Sequence, residues 1–255
     1  MAKIPSRLYH YTSLNSFTKI WMSGHLLFAN SIGTNDIFES KKITSIGSCK
    51  LPTTKEMSEL SAIGHLNSLL REEIGKYKQI SLTQDYSDDF SGYSSPMMWG
   101  QYAERGRGVC IELDLHNFVI NDTECYKSKI DYTDNVPIID VDGGIDLSSK
   151  DKIEKFIEDN IDNIFFKKHY HWSHENEYRI ISKELDFIDV KESFKNVYVP
   201  YQPDDVEFKI VEKLLEGSNV DIRIFLSSGT SKARKISSYS YNKLKEALAK
   251  NKEKG

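Results

Sequence analysis

Short runs rich in β-branched and aromatic residues recur along this chain, separated by helical patterns in no fixed rhythm, and that irregular order is what most constrains the fold. Residues 7–12 (RLYHYT), 79–84 (QISLTQ), 108–115 (GVCIELDL), 177–182 (EYRIIS), 196–200 (NVYVP) and 221–227 (DIRIFLS) have the length and composition of strands. A purely parallel sheet would need a helical crossover after every strand. Here helices intervene only in places, which predicts an α+β fold. After the first strand, Ser13 is placed to cap the helix LNSFTKIWM, Gly24 stops it, and LLFANS reads as a second strand. In residues 53–75, Met57, Leu60, Ile63, Leu70 and Ile74 fall on one helical face, and Ser95 with Pro96 opens a further helix. Helices are also expected over 148–166, 204–217 and 241–255. With 255 residues and 39% hydrophobic content, the chain is expected to form one domain over 1–255 that ends in a basic helical tail at 243–255.

Composition removes several functional classes. A formal charge of −4 argues against a broad nucleic-acid-binding face, which needs clustered Lys and Arg. Cys49, Cys110 and Cys125 are odd in number and show no C-x-x-C spacing, so a reducing, cytoplasmic setting is expected. The N-terminus lacks an apolar signal core and no run has the length of a membrane span, so no membrane association is expected. His169, His171 and His174 form H-x-H-x-x-H, the one pattern suited to a metal-dependent nuclease or hydrolase. No regular element aligns all three, since 169 and 171 agree on a strand while 171 and 174 agree on a helix. Only Glu175 or Glu177 is near enough in sequence to complete the set, and the expectation is no metal. The acidic run from 131 to 163 reads as a solvated face.

Three stretches can carry chemistry. In HWSHENEYRII (171–181), an extended backbone would alternate faces, placing Glu175, Glu177 and Arg179 on one side and Tyr178 and Ile180 on the other. The same pattern also fits a solvated edge strand with a Glu–Arg pair. At the end of the first strand, Tyr9-His10-Tyr11-Thr12 sets a histidine where it can meet a ligand hydroxyl, although a lone strand histidine is more often structural. In MMWGQY, Trp99 and Tyr102 share a helical face, which suits core packing for Trp99 and a cleft rim for the polar tip of Tyr102.

Together these features resemble the ADP-ribosyltransferase fold with its His–Tyr–Glu site. HYTSLNSFTKIWMSGHL resembles the first motif of the DNA- and RNA-directed members, and NEYRII is similar to the Asn-Glu-Tyr strand of the poly(ADP-ribose) polymerases. Glu175-Asn176-Glu177 resembles the Glu-x-Glu of arginine-directed toxins. Across most of its length the chain also resembles a widespread bacterial family of uncharacterised proteins, through YHYTS, Asn35-Asp36-x-Phe38-Glu39, Trp99-x-x-Tyr102-Ala103, Gly108-Val109-Cys110-Ile111 and Lys168-x-x-x-Trp172-x-x-Glu175-x-Glu177-Tyr178-Arg179. Two features depart from the enzymes: Tyr11 stands where the polymerases have glycine, and the toxins' Ser-Thr-Ser is absent.

The resemblance implies an ADP-ribosyltransferase-like core of two small packed β-sheets with helices around them and an NAD cleft between them. It implies mono-ADP-ribosyl transfer from NAD to a macromolecular acceptor, protein or nucleic acid, by a bacterial toxin or defence effector that an antitoxin would hold in check. Glu177 becomes the catalytic carboxylate and Glu175 the group that handles the acceptor, engaging a guanidinium in the arginine-directed case. His10, flanked by Tyr9 and Thr12, holds the adenosine ribose; Trp99 or Tyr102 covers the nicotinamide; Arg105 and Arg107 meet the pyrophosphate. On that basis Glu177→Gln would abolish transfer with the fold largely intact. The alternative is a catalytically silent relative that binds a nucleotide or partner without turnover.

Overall fold

The computed structural model describes Pro5 and residues 7–31, 59–114, 125–135, 148–200, 204–228 and 235–252. The Asn35–Glu39 motif, Cys49 and Met57 lie outside these residues. The first strand, β1 (Arg7–Thr12), leads into α1 (Leu14–Ser23). Ser13 Oγ accepts the Ser16 amide at 2.9 Å, and Gly24 closes the helix at φ 73°, a left-handed conformation that glycine adopts without steric cost. The expected strand over LLFANS is two short pieces, β2 (His25–Leu27) and β3 (Ala29–Asn30). Then come α2 (Glu59–Ile74), β4 (Lys78–Thr83), α3 (Pro96–Tyr102) and β5 (Val109–Asp114). The strands β6 (Tyr126–Lys129) and β7 (Asp131–Thr133) precede α4 (Lys150–Asp159) and α5 (Ile161–Phe165), which break at Asn160 where one helix was expected. The chain continues through β8 (Lys167–His169), β9 (Glu177–Ser182), β10 (Phe187–Asp189) and β11 (Phe194–Val199). It closes with α6 (Val206–Leu215), β12 (Asp221–Ser228), β13 (Lys235–Ser240) and α7 (Tyr241–Lys252).

The α+β class holds, and the sheet arrangement differs from the expected pair. Nine strands form one mixed sheet in the order β13-β12-β11-β5-β1-β4-β9-β6, with β3 also on β4. Among the described residues, only β11 and β12 run parallel within it. Two separate two-stranded sheets, β10–β2 and β7–β8, flank it. Within the large sheet, β1 is registered against β5 from Arg7–Asp114 to Thr12–Val109, and β4 against β9 from Lys78–Ser182 to Thr83–Glu177. Between β1 and β4 the register is a single pair, Tyr9 with Thr83. The sheet is therefore two well-paired halves pinned at one residue pair, and beyond the pin the edges of β1 and β4 separate.

Three apolar clusters hold this arrangement. Leu8, Ile80, Leu82, Ile111 and Ile180 pack with Phe17 of α1 and Phe208 of α6 on one face. Ile181 packs with Leu70, Ile153, Phe156 and Phe165 from α2, α4 and α5. Tyr9, Tyr11, Cys110 and Tyr198 pack with Met98 and Trp99 of α3. Strand alternation is legible here: Leu8 goes to the first cluster while Tyr9 and Tyr11 go to the third. Burying such side chains contributes roughly 1.5–3 kcal/mol each, so both halves of the sheet are firmly backed. Gly108 fits between α3 and β5 only because it lacks Cβ, which would stand 2.1 Å from the Thr12 carbonyl oxygen.

Candidate active site

The carboxylates Glu175 and Glu177 reach one place by a route that strand alternation does not describe. Residues 170–175 form a 3₁₀ turn, and β9 begins only at Glu177. Asn176 joins them in the left-handed region at φ 42° and ψ 51°. Asparagine tolerates that conformation, and its Nδ2 donates to the Asp85 carbonyl at 2.9 Å and to the Gln84 carbonyl at 3.3 Å. The Asn176 carbonyl in turn accepts the Gln84 amide at 2.9 Å, which ties the turn to the end of β4. The expected shared strand face for Glu175, Glu177 and Arg179 is thus corrected: Glu175 lies in the turn, and the left-handed residue brings its side chain back beside Glu177.

What joins the two acids is Lys168, on β8. Its Nζ donates to Glu175 Oε2 at 2.6 Å and lies 2.8 Å from Glu177 Oε2. Arg179 holds Glu177 from the other side, Nε to Oε1 at 2.7 Å and Nη2 to Oε2 at 2.9 Å, while its Nη1 donates to the Phe165 carbonyl at 2.6 Å. Tyr102 Oη donates to Glu175 Oε1, and Tyr132 Oη accepts the Glu177 amide at 2.9 Å. Lys168, Glu175, Glu177 and Arg179 are only 6%, 4%, 3% and 2% exposed, so this is a buried ion group in which two acids balance two bases. Burial by itself would raise the Glu177 pKa. The neighbouring Arg179 and Lys168 outweigh it and hold the carboxyl well below its usual range. Glu177 is thus an architectural partner of Lys168 and Arg179, a role that the expectation of a largely intact fold in Glu177→Gln does not take into account.

The ion group borders the opening between the sheet halves. There a cleft of about 290 Å³ is bounded by Tyr9–Tyr11 of β1, Gln79–Thr83 of β4, Met98 and Tyr102 of α3, and Lys168, Glu175 and Glu177. Its size is at the lower end of small-molecule sites, roughly 300–1,000 Å³. His10, partly exposed to the cleft, has Nδ1 3.5 Å from the Ser81 carbonyl oxygen. Enclosure lowers its pKa to about 4 against the opposing contact with Ser81, so the imidazole is neutral near pH 7.

Five of the nine residues expected at the site meet on this cleft: Tyr9, His10, Tyr102, Glu175 and Glu177. Thr12 is buried under Gly108, and Trp99 is buried with Nε1 donating to the Tyr93 carbonyl at 2.7 Å and its ring edge-on to Tyr11. Arg105 and Arg107 are exposed on the turn after α3, and Arg107 borders a separate cavity beside Leu14 and Glu207. None of these four is among the described residues that line the cleft. Lys168, which the sequence offers as a pairing partner for Glu175 through the Lys168–Arg179 motif, is not among the expected site residues, because its partners lie seven and nine positions away across a turn.

The histidines separate. His169 and His171 touch ring to ring at 4.5 Å, whereas His174 Nε2 lies 3.0 Å from Gln101 Oε1 on α3. Among the described residues, no group of three or more His, Cys, Asp or Glu side chains is placed to hold a metal ion. No helix among them is long and apolar enough to cross a membrane.

No curated protein matches the chain. Residues 98–180 match the model of a family described as a protein of unknown function, DUF2971, and the matching segment runs from α3 through β9, carrying Met98, Tyr102 and all four members of the ion group.

Proposed function

We propose that this chain is an NAD-dependent mono-ADP-ribosyltransferase whose cleft between β1 and β4 receives the nicotinamide–ribose end of NAD. The observation that carries this function is the convergence of Glu175 and Glu177 with His10 and Tyr102 on that cleft. A volume of about 290 Å³, with His10, Lys168, Glu175 and Glu177 set among mainly aromatic and aliphatic walls, suits a nucleoside-sized part of NAD, with the remainder extending out of the opening.

Breaking the bond between C1′ of the ribose and the nicotinamide nitrogen sends the electron pair to the ring, which leaves neutral, and positive charge develops on the sugar. Glu177, kept ionised by Arg179 and Lys168, sets a carboxylate beside it whose charge those two cations partly offset, and such a preorganised group acts more on the transition state than on the ground state. Tyr102 and Lys168 hold Glu175 in place. From there Glu175 takes the proton of an incoming O–H or N–H as the nucleophile bonds to C1′, and passes it to solvent. Neutral His10 is free of charge repulsion and suited to hydrogen-bonding a ribose hydroxyl.

A second function is favoured by one observation. Both Glu177 oxygens already accept from cationic donors, occupying most of the carboxylate's acceptor sites. A nucleotide-binding module without turnover would keep such a group for architecture alone. Incubation with NAD labelled in the nicotinamide ring separates the two. Release of free nicotinamide is the result expected of a transferase, whereas binding without release would favour the module, and no NAD binding would remove both. His10→Ala should weaken NAD binding by roughly fivefold to tenfold, the worth of one net hydrogen bond, as read by calorimetry.

A further inference from the structure

We infer that Lys168 is a specificity-determining residue: it fills the cation seat between Glu175 and Glu177, so the acceptor at this site is an uncharged O–H or N–H nucleophile and not a guanidinium or ammonium. The word acceptor rests on the ADP-ribosyl reading; the exclusion of cations is a binding property that stands apart from it.

Two carboxylates side by side in a cleft ordinarily invite a cation. Here the chain supplies its own, with the Lys168 ammonium 2.6 Å from Glu175 Oε2 and 2.8 Å from Glu177 Oε2. The Trp172 ring lies 5.7 Å from the same ammonium and adds cation–π attraction. Lys168 is also the one cation among the described residues lining the cleft. With Arg179 on the far side of Glu177, acidic and basic charges in the group balance. A guanidinium entering from the cleft would compete for the oxygens Lys168 holds. It would either strand that ammonium in a poorly solvated place or leave the group with an excess positive charge, and both are costly. An uncharged nucleophile adds no charge. Tyr102 already shows how a hydroxyl approaches Glu175, donating to Oε1 on the side away from Lys168. The arginine-handling role expected for Glu175 is thereby replaced by the handling of a neutral nucleophile, whose proton leaves as its O or N bonds to C1′ while nicotinamide departs with the bonding pair.

Agmatine, a soluble guanidinium, is the probe. Titrated calorimetrically, it should bind Lys168→Ala at least about tenfold more tightly than the wild type, whose binding should fall below detection, because the vacated seat offers a charge-assisted pair. Ethylammonium should raise the melting temperature of Lys168→Ala and leave that of the wild type unchanged. Equal agmatine affinity for the two proteins would overturn the inference. If Lys168→Ala does not fold even with ethylammonium, the wild type decides: with NAD labelled in its adenosine, so that the label follows the transferred ADP-ribosyl group, label should pass to water, guanosine or a serine peptide, offered separately, and agmatine should take none. Labelled agmatine from the wild type would overturn the inference. If no nicotinamide is released with any of them, the ADP-ribosyl reading fails, and the wild-type agmatine titration alone judges Lys168, with measurable binding counting against it.

Discussion

Taking one charge from the group of Lys168, Glu175, Glu177 and Arg179 leaves its partners where water reaches poorly. Glu177 contacts both cations, so Glu177→Gln should destabilise the protein by about 3 kcal/mol or more, and Glu175→Gln, which loses Lys168 but keeps the Tyr102 donor, by less. Urea denaturation measures both, and a Glu177→Gln midpoint equal to the wild type would mean that the group does not hold this region together. His10 and Glu177 together set an acid response. His10 has a folded pKa of about 4 against an ordinary 6.5, so the unfolded chain binds more protons between these values; its contribution is present above pH 6.5 and is lost as pH falls toward 4. Glu177 is held below its ordinary 4.5, so its contribution is present above that value and is lost as pH falls further. Wild-type stability should therefore drop in two windows. His10→Gln should flatten the upper one and leave the lower, a comparison made by denaturation at successive pH values.

At the scale of elements, β9 does two jobs: its apolar residues are split between two clusters, and its Glu177 and Arg179 belong to the ion group. The strand was legible because EYRIIS is rich in β-branched and aromatic side chains. The turn ahead of it was not. Whether Asn176 continues a strand or goes left-handed depends on the Gln84 and Asp85 carbonyls, more than ninety residues away in sequence. Asn176→Ala should lower stability by about 1–3 kcal/mol, combining a left-handed alanine with lost hydrogen bonds, whereas Asn176→Gly should lose only the bonds. Thermal melts of the two variants check this, and an alanine variant equal to glycine would show that the backbone conformation costs nothing here.

For the molecule as a whole, the decisive feature is the single pairing of Tyr9 with Thr83 between two otherwise continuous ladders. A strand edge that faces a cleft keeps its amides open to water, so backbone exchange should be uneven. Amides of β1 and β4 directed at the cleft should exchange faster than those directed into the β1–β5 and β4–β9 ladders, and NAD should slow the first set selectively. Residue-resolved hydrogen exchange with and without NAD measures the difference, and uniform protection of both edges would show that the halves are joined more tightly than at one pair.

Sequence by itself determined the α+β class, most element boundaries and the helix ends at Ser13, Gly24 and Ser95, because these depend on side-chain period and on capping within a few residues. It also singled out Tyr9, His10, Tyr102, Glu175 and Glu177, all of which meet on the cleft. The short strands β6, β7, β8, β10 and β13 escaped it, since pieces this brief or polar owe their form to the neighbour they pair with. Tertiary structure alone decided that the two sheet halves are one sheet, that the turn at Asn176 returns Glu175 to Glu177, and that Lys168 stands between them. Each of these is a meeting of distant segments, fixed by burial and hydrogen bonding once the chain has packed, and no local period in the sequence records it.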